Sequence, residues 1–257
     1  MILGEMIVKL DLRWFVMEAL EAYIQEYELK CALDFYEQQL INKKGKILEI
    51  GQSHLFLLPE LLNHGLQVEG LVDSKQGEEA CKQKCEELNQ TATIYQLSLN
   101  EFKKPTRYDA IIIPFGSVVT VEERLKSIKL LKNVYDHLKS KGTIIVDLFI
   151  QDEFLVQQKH SMVQEFMSDL YVCEKQLIKL DMLEQSTTYL LSVERIKEGK
   201  MIEKEQKLQP FIWYGIKEFK LILERIGFTN INIYNNYSTI ESTKSSDKKV
   251  FTFTGEK

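Results

Sequence analysis

The sequence predicts an α/β fold: a largely parallel sheet with helices on both faces, interrupted late in the chain by an antiparallel β insertion. Strand and helix patterns alternate five times between residues 46 and 149, and parallel strands require crossover connections of this kind. The first strand, KILEI, is a short apolar run typical of a strand buried on both faces. A length of 257 residues suits one large domain or one domain with a sizeable insertion, and 28% charged residues are typical of an ordinary soluble globular protein.

Each element is predicted from its apolar spacing and its flanking turn residues. Residues 12–41 have apolar side chains at three- and four-residue intervals and form the first predicted helix. The predicted core strands are KILEI, LQVEGLV, TATIYQL, YDAIIIPFG and TIIVDLF. The predicted helices between them are Leu55 to Asn63, Gln76 to Leu88, and VEERLKSIKLLKNVYDHLKSKG, the last ending in a glycine cap.

The pattern changes from about Tyr171, where successive strands with a Glu198-Gly199 hairpin turn predict an antiparallel insertion. A helix, GIKEFKLILERIGF, and a closing hairpin of NINIYNN with KKVFTFTG follow. The expected organisation is an N-terminal helical segment that acts as a lid or in dimerisation, a core in two pieces, and the insertion. These regions are residues 1–41, then 42–150 with 215–257, and 151–214.

Composition excludes several classes of protein. The net charge is −5 and the basic residues are interleaved with acidic ones, which argues against a nucleic-acid surface. Cys81 and Cys85 lie one helical turn apart, but no second pair completes a metal site, so reduced structural cysteines and no metal are expected. No signal peptide and no apolar run of about 20 residues is present, so a cytoplasmic protein without a membrane segment is expected.

Four segments in this order carry a family resemblance: LEIG, RYDAIIIPFGS, HLKSKGTIIVDLF and the tail ERIGF…NNY…KKVFTFTG. Over roughly residues 32–257 the chain resembles the class I S-adenosylmethionine-dependent methyltransferases, in their small-molecule branch with a β insertion. The resemblance implies a Rossmann-like sheet of seven strands, S-adenosylmethionine as cofactor and methyl transfer to a small molecule.

The glycine-rich cofactor loop of that family is only partly matched. Glu49 and Gly51 match its acidic residue and first glycine, whereas the next two glycines fall on Ser53 and Leu55. Glycine is used there because the backbone takes positive φ or approaches the ligand closely. If the cofactor binds, the Leu55 side chain must point away from the cleft; if the site is closed, Leu55 should fill it.

The two other acidic landmarks of the family are displaced or absent. The residue that accepts the ribose hydroxyls aligns with Val72, and Asp73 is one position late. The residue that binds the adenine amino group aligns with Ser98.

The resemblance assigns two sets of residues to the site, and no catalytic residue. The cofactor-binding residues are Glu49, Gly51, Gln52, Ser53, Asp73, Ser98, Leu99 and Pro114. The substrate-pocket residues are Ser117, Asp147, Trp213 and Tyr214. For the second set structural roles stay open: a strand-to-loop turn at Ser117, a hydrogen-bonding role for Asp147, and plain packing for the two aromatic residues.

Three functions follow. The first is a methyltransferase that binds S-adenosylmethionine with an altered loop and acts on a small molecule, which needs alignment more than specific side chains. The second is a catalytically inactive homologue that serves as a binding or partner subunit. A different reaction in the same cleft is a third reading. The expected partners are a small-molecule substrate and a homodimer or protein partner.

Overall fold

The computed structural model describes residues 30–51, 55–98, 101–103, 105–120, 123–151, 154–166, 169–238 and 250–257. The chain divides into two compact units. The central unit consists of Cys31–Gln151 and Phe211–Lys257, and the insertion unit includes Asp152–Pro210.

Within the described residues the helices are α1 over residues 30–40, α2 Leu58–Asn63, α3 Lys75–Glu87, α4 Arg124–His137 and α5 Ile216–Ile226. The strands up to the insertion are β1 Ile47–Gly51, β2 Val68–Val72, β3 Thr93–Gln96, β4 Tyr108–Ile113 and β5 Leu138–Phe149. The later strands are β6 Lys159–Phe166, β7 Asp169–Asp181, β8 Ser186–Lys197, β9 Lys200–Ile212, β10 Thr229–Asn235 and β11 Val250–Glu256. No helix in the described parts of the chain is long and apolar enough to cross a membrane.

The central unit is organised around a seven-stranded sheet of order β10-β11-β5-β4-β1-β2-β3. The pairs among β1 to β5 are parallel, while β11 runs antiparallel to both β5 and β10. The closing hairpin therefore lies on the β5 side of the sheet. The predicted class, α/β with a seven-stranded sheet and an antiparallel insertion, is confirmed.

The strand register separates the sheet into two faces, because alternate residues of a strand point to opposite sides. One face carries the main apolar core, where residues such as Ile111, Ile144 and Phe253 pack against α4 and α5. The other face includes Glu49 of β1, with Gly70 and Ile112 as its register partners on the neighbouring strands. Leu58 of α2 packs on this second face, beside Gly70.

The predicted glycine cap of α4 is wrong. The helix ends at His137, and Leu138 already has an extended backbone (φ −78°, ψ 144°) that starts β5. A Cβ on Gly142 would lie 2.9 Å from the Lys139 carbonyl oxygen and 3.1 Å from that of Tyr108. Glycine is therefore required for close backbone approach inside β5 rather than to end the helix.

The insertion unit contains a four-stranded sheet of order β6-β7-β8-β9. Its first strand, β6, lies before the position where the sequence predicted the insertion sheet to begin. The Glu198-Gly199 turn is confirmed, since both residues have positive φ (51° and 74°), as the commonest two-residue hairpin requires. A small core of Tyr171, Cys173 and Val193 holds one face of this sheet.

Candidate functional site

Two buried carboxylates lie on one face of the central sheet. Glu49 pairs in register with Ile112, which pairs in turn with Ile145. Asp147 lies two residues beyond Ile145, so its side chain is on the same face as that of Glu49. Both carboxylates are 0% exposed, and Asp147 lies toward the carboxyl end of β5, where ligands of parallel sheets bind.

Glu49 stabilises the start of α2 through its carboxylate. The Leu57 backbone N–H donates to Oε1 at 3.2 Å, and the N–H groups of Phe56 and Leu58 also lower the pKa of this carboxyl. Burial outweighs all three donors and raises the pKa to about 8. Among the described residues Oε2 has no hydrogen-bond partner, so one buried acceptor stays available.

Leu55, which stands at the third glycine position of the loop, packs onto the sheet. Its side chain is 5% exposed. Its Cδ1 atom is the atom nearest to the point where a Cβ on Gly70 would lie, and Leu58 Cδ1 is 2.9 Å from that point. Gly70 is the middle residue of β2. Leu55 therefore packs under α2 against the middle of a strand, rather than beyond the strand ends.

Asp147 is held by three donors from three parts of the chain. Its Oδ2 accepts from the Phe115 backbone N–H at 2.8 Å and from the Tyr237 hydroxyl at 2.9 Å, and Oδ1 accepts from the Thr252 hydroxyl at 2.7 Å. Burial still raises the pKa of Asp147 to about 6 against the effect of these donors. The carboxylate thus joins the loop after β4 to the closing hairpin.

The backbone after β4 is in an unusual conformation. Phe115 and Gly116 have φ of 52° and 67°, a left-handed region that a phenylalanine rarely adopts. A Cβ on Gly116 would meet the Phe149 ring. Such backbone strain persists where the surrounding structure holds it, frequently at ligand sites, and here the Asp147 carboxylate bonds the Phe115 N–H.

Tyr36 of α1 lies close enough to both carboxylates for their charges to raise the pKa of its hydroxyl. It is fully buried, and its pKa is raised well above the ordinary value by burial first and then by the charge of Asp147, with a smaller effect of Glu49. No hydrogen bond of ordinary geometry joins its hydroxyl to any described residue. The raised pKa keeps the hydroxyl protonated.

Aromatic rings surround this cluster. The Phe115 ring lies 6.4 Å from that of Tyr237 and 5.2 Å from that of Phe56, centroid to centroid. The Tyr237 ring in turn lies 6.3 Å from Tyr36 and 6.1 Å from Phe35. Aromatic faces beside buried carboxylates attract cationic groups. We call Glu49, Asp147, Tyr36, Tyr237 and Phe115 the carboxylate cluster.

The other predicted cofactor residues lie near the strand ends. Pro114 is buried directly before Phe115, and Asp73 and Ser98 are exposed. Val72, which occupies the family's ribose-binding position, is fully buried, and its carbonyl accepts the Leu97 N–H at 3.0 Å. The predictions for Gln52, Ser53 and Leu99 concern residues outside those that the structure describes.

Three of the four predicted substrate-pocket residues, Ser117, Trp213 and Tyr214, form hydrogen bonds to groups other than Asp147. The Ser117 hydroxyl donates to the Pro114 carbonyl at 3.1 Å, closing the turn after β4. The Trp213 carbonyl accepts from Arg124 at 2.8 Å. Tyr214 belongs to the core on the opposite face, where its hydroxyl bonds Ser127 and its ring packs beside Phe219.

The sequence does not mark Tyr36 as a site residue, and Tyr237 and Thr252 enter only as parts of the motif segments NNY and KKVFTFTG. One signal was present: the strand VFTFT alternates threonine with apolar residues, and β11 is buried along most of its length. A threonine in such a strand needs a polar partner. No such pattern marks Tyr36, because a tyrosine on an apolar helix face is typical of a side chain that packs in the core.

The structure gives no sign of a metal centre or disulfide in the described regions. No group of three or more His, Cys, Asp or Glu residues is arranged to hold a metal ion there. Cys81 and Cys85 are buried free thiols, and burial raises the pKa of both.

Comparison with known proteins identifies the fold. No protein-family model matches the chain, and no curated protein matches its sequence. An S-adenosylmethionine-dependent methyltransferase from Clostridium acetobutylicum is 14% identical and superposes with a TM-score of 0.73, over 94% of this chain and 96% of that one.

Two further solved structures are similar over nearly the whole chain. DesVI of Streptomyces venezuelae is 12% identical (TM-score 0.73, 94% of this chain and 97% of that one). A SAM-bound amino pentose methyltransferase of Micromonospora echinaspora, involved in calicheamicin biosynthesis, is 11% identical (TM-score 0.68, 93% and 95%). At this level of identity the likeness concerns architecture alone, and this chain has the fold of the S-adenosylmethionine-dependent small-molecule methyltransferases.

Proposed function

We propose that this protein is an S-adenosylmethionine-dependent methyltransferase that acts on a small-molecule amine. The observation that carries the proposal is the fully buried Oε2 of Glu49 in the first strand of this fold, which has no hydrogen-bond partner among the described residues. A buried carboxylate oxygen without a donor is costly unless a ligand supplies one. The cofactor carries two cationic groups, a sulfonium and an ammonium.

The residues of the site fit that cofactor. Leu55 packs against Gly70 on the sheet. Its bulky side chain is therefore no argument against a ligand that binds at the strand ends. Glu49, whose buried carboxyl has a pKa of about 8, would release its proton as the cation binds and then supply a negative charge. Tyr237 and Phe115 would supply aromatic faces toward a cationic group. The substrate class rests on the same chemistry and on the solved neighbours, which include an amino pentose methyltransferase.

When bound, the cofactor would supply an electrophilic methyl group on sulfur; an amine lone pair would attack the methyl carbon as the carbon–sulfur bond breaks, S-adenosylhomocysteine would leave, and the methylated ammonium would lose a proton. This chain's own contribution is alignment and exclusion of water. Asp147 fixes the loop after β4 through the Phe115 N–H, and the raised pKa of Tyr36 keeps its hydroxyl protonated as a donor. Alignment of this kind accounts for a large part of such rate enhancements.

The test is calorimetric titration of the full chain with S-adenosylmethionine and with S-adenosylhomocysteine. We expect a Kd on the order of micromolar, about −8 kcal/mol. Glu49→Gln should weaken S-adenosylmethionine binding about tenfold. Glu69→Gln is the matched control: Glu69 is a carboxylate on the adjacent strand, already bonded by Lys46, Tyr95 and Tyr108, and its variant should bind as the unmodified protein does.

The alternative is a protein that keeps the fold without binding the cofactor. The buried Val72 at the ribose-binding position favours it, because no carboxylate is present there to accept the hydroxyls. Absence of heat and of a thermal shift with either ligand at millimolar concentration would reject the methyltransferase function in favour of a binding or partner subunit.

A further inference from the structure

A concave site lies at the opposite end of the central sheet from Asp147. A cavity of about 310 Å³ opens where β1, β4 and β5 begin. We call it the lysine pocket, defined by its charged lining residues Lys43, Lys44, Lys139, Lys141 and Asp109. Four ammonium groups and one carboxylate leave a net charge of about +3 on this small surface.

Two of the lysines are held in place. Lys43 Nζ donates to the Thr143 hydroxyl at 2.6 Å, and Lys139 Nζ pairs with Asp109 Oδ1 at 2.5 Å. Asp109 Oδ2 accepts the Gly45 backbone N–H at 2.7 Å. Lys139 holds the pKa of Asp109 below its usual range. The carboxylate stays ionised but has both oxygens engaged, so it neutralises one lysine only.

The other two lysines are exposed, and their ammonium groups make no hydrogen bond or ion pair with any described residue. Lys44 directly follows Lys43, and Lys141 is the last residue before Gly142, with a left-handed backbone at φ 64°. The Lys141 N–H donates to the Lys257 carbonyl at 3.0 Å, which fixes this loop. Converging like charges repel, and an anion between them removes that repulsion.

We propose that the lysine pocket binds a small, multiply charged oxyanion of the diphosphate class. Lysine ammonium groups are point charges that suit phosphate oxygens, and the charge of a diphosphate matches the excess charge of the pocket. The site shares no residue with the carboxylate cluster. It is independent of the proposed methyl transfer.

The experiment is calorimetric titration of the full chain with inorganic pyrophosphate at low ionic strength. We expect saturable binding with one site, weakened at least tenfold by Lys44→Ala combined with Lys141→Ala and weakened also by added salt. The matched control is Lys129→Ala with Lys132→Ala, which removes the same charge from two exposed positions of α4.

The control variant should retain the affinity of the unmodified chain. If both double variants bind pyrophosphate equally more weakly, only the net charge of the protein matters, and the proposed site is refuted. The absence of saturable binding, or binding that persists unchanged without Lys44 and Lys141, would also refute it. A cooperative thermal unfolding transition of the Lys44→Ala/Lys141→Ala variant, with a midpoint close to that of the unmodified chain, checks that this variant is folded.

Discussion

Replacing Glu49 by glutamine should make the protein more stable, and increasingly so as the pH rises. The carboxyl is fully buried, with a pKa of about 8 against an ordinary value of 4.5. Between these values the folded state holds a proton that the unfolded state releases, so stability falls as pH rises. A difference of about 3.5 pH units corresponds to roughly 5 kcal/mol.

Glutamine has the shape of the protonated acid and does not titrate. Its carbonyl can still accept the Leu57 N–H, so the start of α2 keeps its bond. The two proteins should therefore be about equally stable near pH 4.5, and the variant should gain up to several kcal/mol by pH 8, with no further gain above that pH.

Chemical denaturation in steps from pH 4.5 to pH 8.5 measures this difference, and carbon NMR of the Glu49 carboxyl gives its pKa directly. A difference between the two proteins that stays constant with pH would refute the reasoning, because it would mean that Glu49 is ionised throughout. The same experiment with saturating S-adenosylmethionine should show a lower pKa, since a nearby cation favours the carboxylate.

Three further variants test the packing around the site. Gly70→Ala should cost about 1–3 kcal/mol of unfolding free energy through overlap with Leu55 and, less closely, with Leu58. The cost should be smaller in a Leu55→Ala background, where only the overlap with Leu58 is left; additive effects in this double-mutant cycle would disprove the contact with Leu55. Thr252→Val should cost about 2 kcal/mol at pH 8 and less at pH 5, because the pKa of Asp147 is about 6 and its carboxylate is protonated below that pH; a pH-independent loss would contradict the bond. Tyr36→Phe should raise the unfolding free energy by about 1 kcal/mol, since a buried hydroxyl without a partner is removed, and a thermal-denaturation midpoint below that of the unmodified chain would show that the hydroxyl is bonded.

The sheet could be predicted because its determinants are local. Apolar runs bounded by glycine, such as KILEI and YDAIIIPFG, specify strands buried on both faces, and the amphipathic segments between them specify crossovers. The end of α4 was mispredicted for a long-range reason. Gly142 is needed by the backbone of Tyr108 on a neighbouring strand, which no local pattern reveals.

The sequence predicts a site residue only where the residue's position in its own strand is enough to identify it. Glu49 was found from its place after an apolar strand, and Asp147 from its place in another. The partners of Asp147 come from residues 115, 237 and 252, and sequence spacing cannot bring such distant positions together. The position of Leu55 likewise depends on Gly70 in the next strand, so the loop alone could not tell whether its side chain fills the cleft.

The Leu55–Gly70 contact also constrains how such a loop can diverge. Starting from a glycine at position 55 and a larger residue at position 70, leucine introduced first would collide with the side chain already on β2. Glycine introduced first at position 70 would leave only a small cavity, a far milder defect. The two positions are therefore coupled in one direction: a leucine at position 55 requires a small residue at position 70, whereas a glycine at position 70 does not require a leucine at position 55.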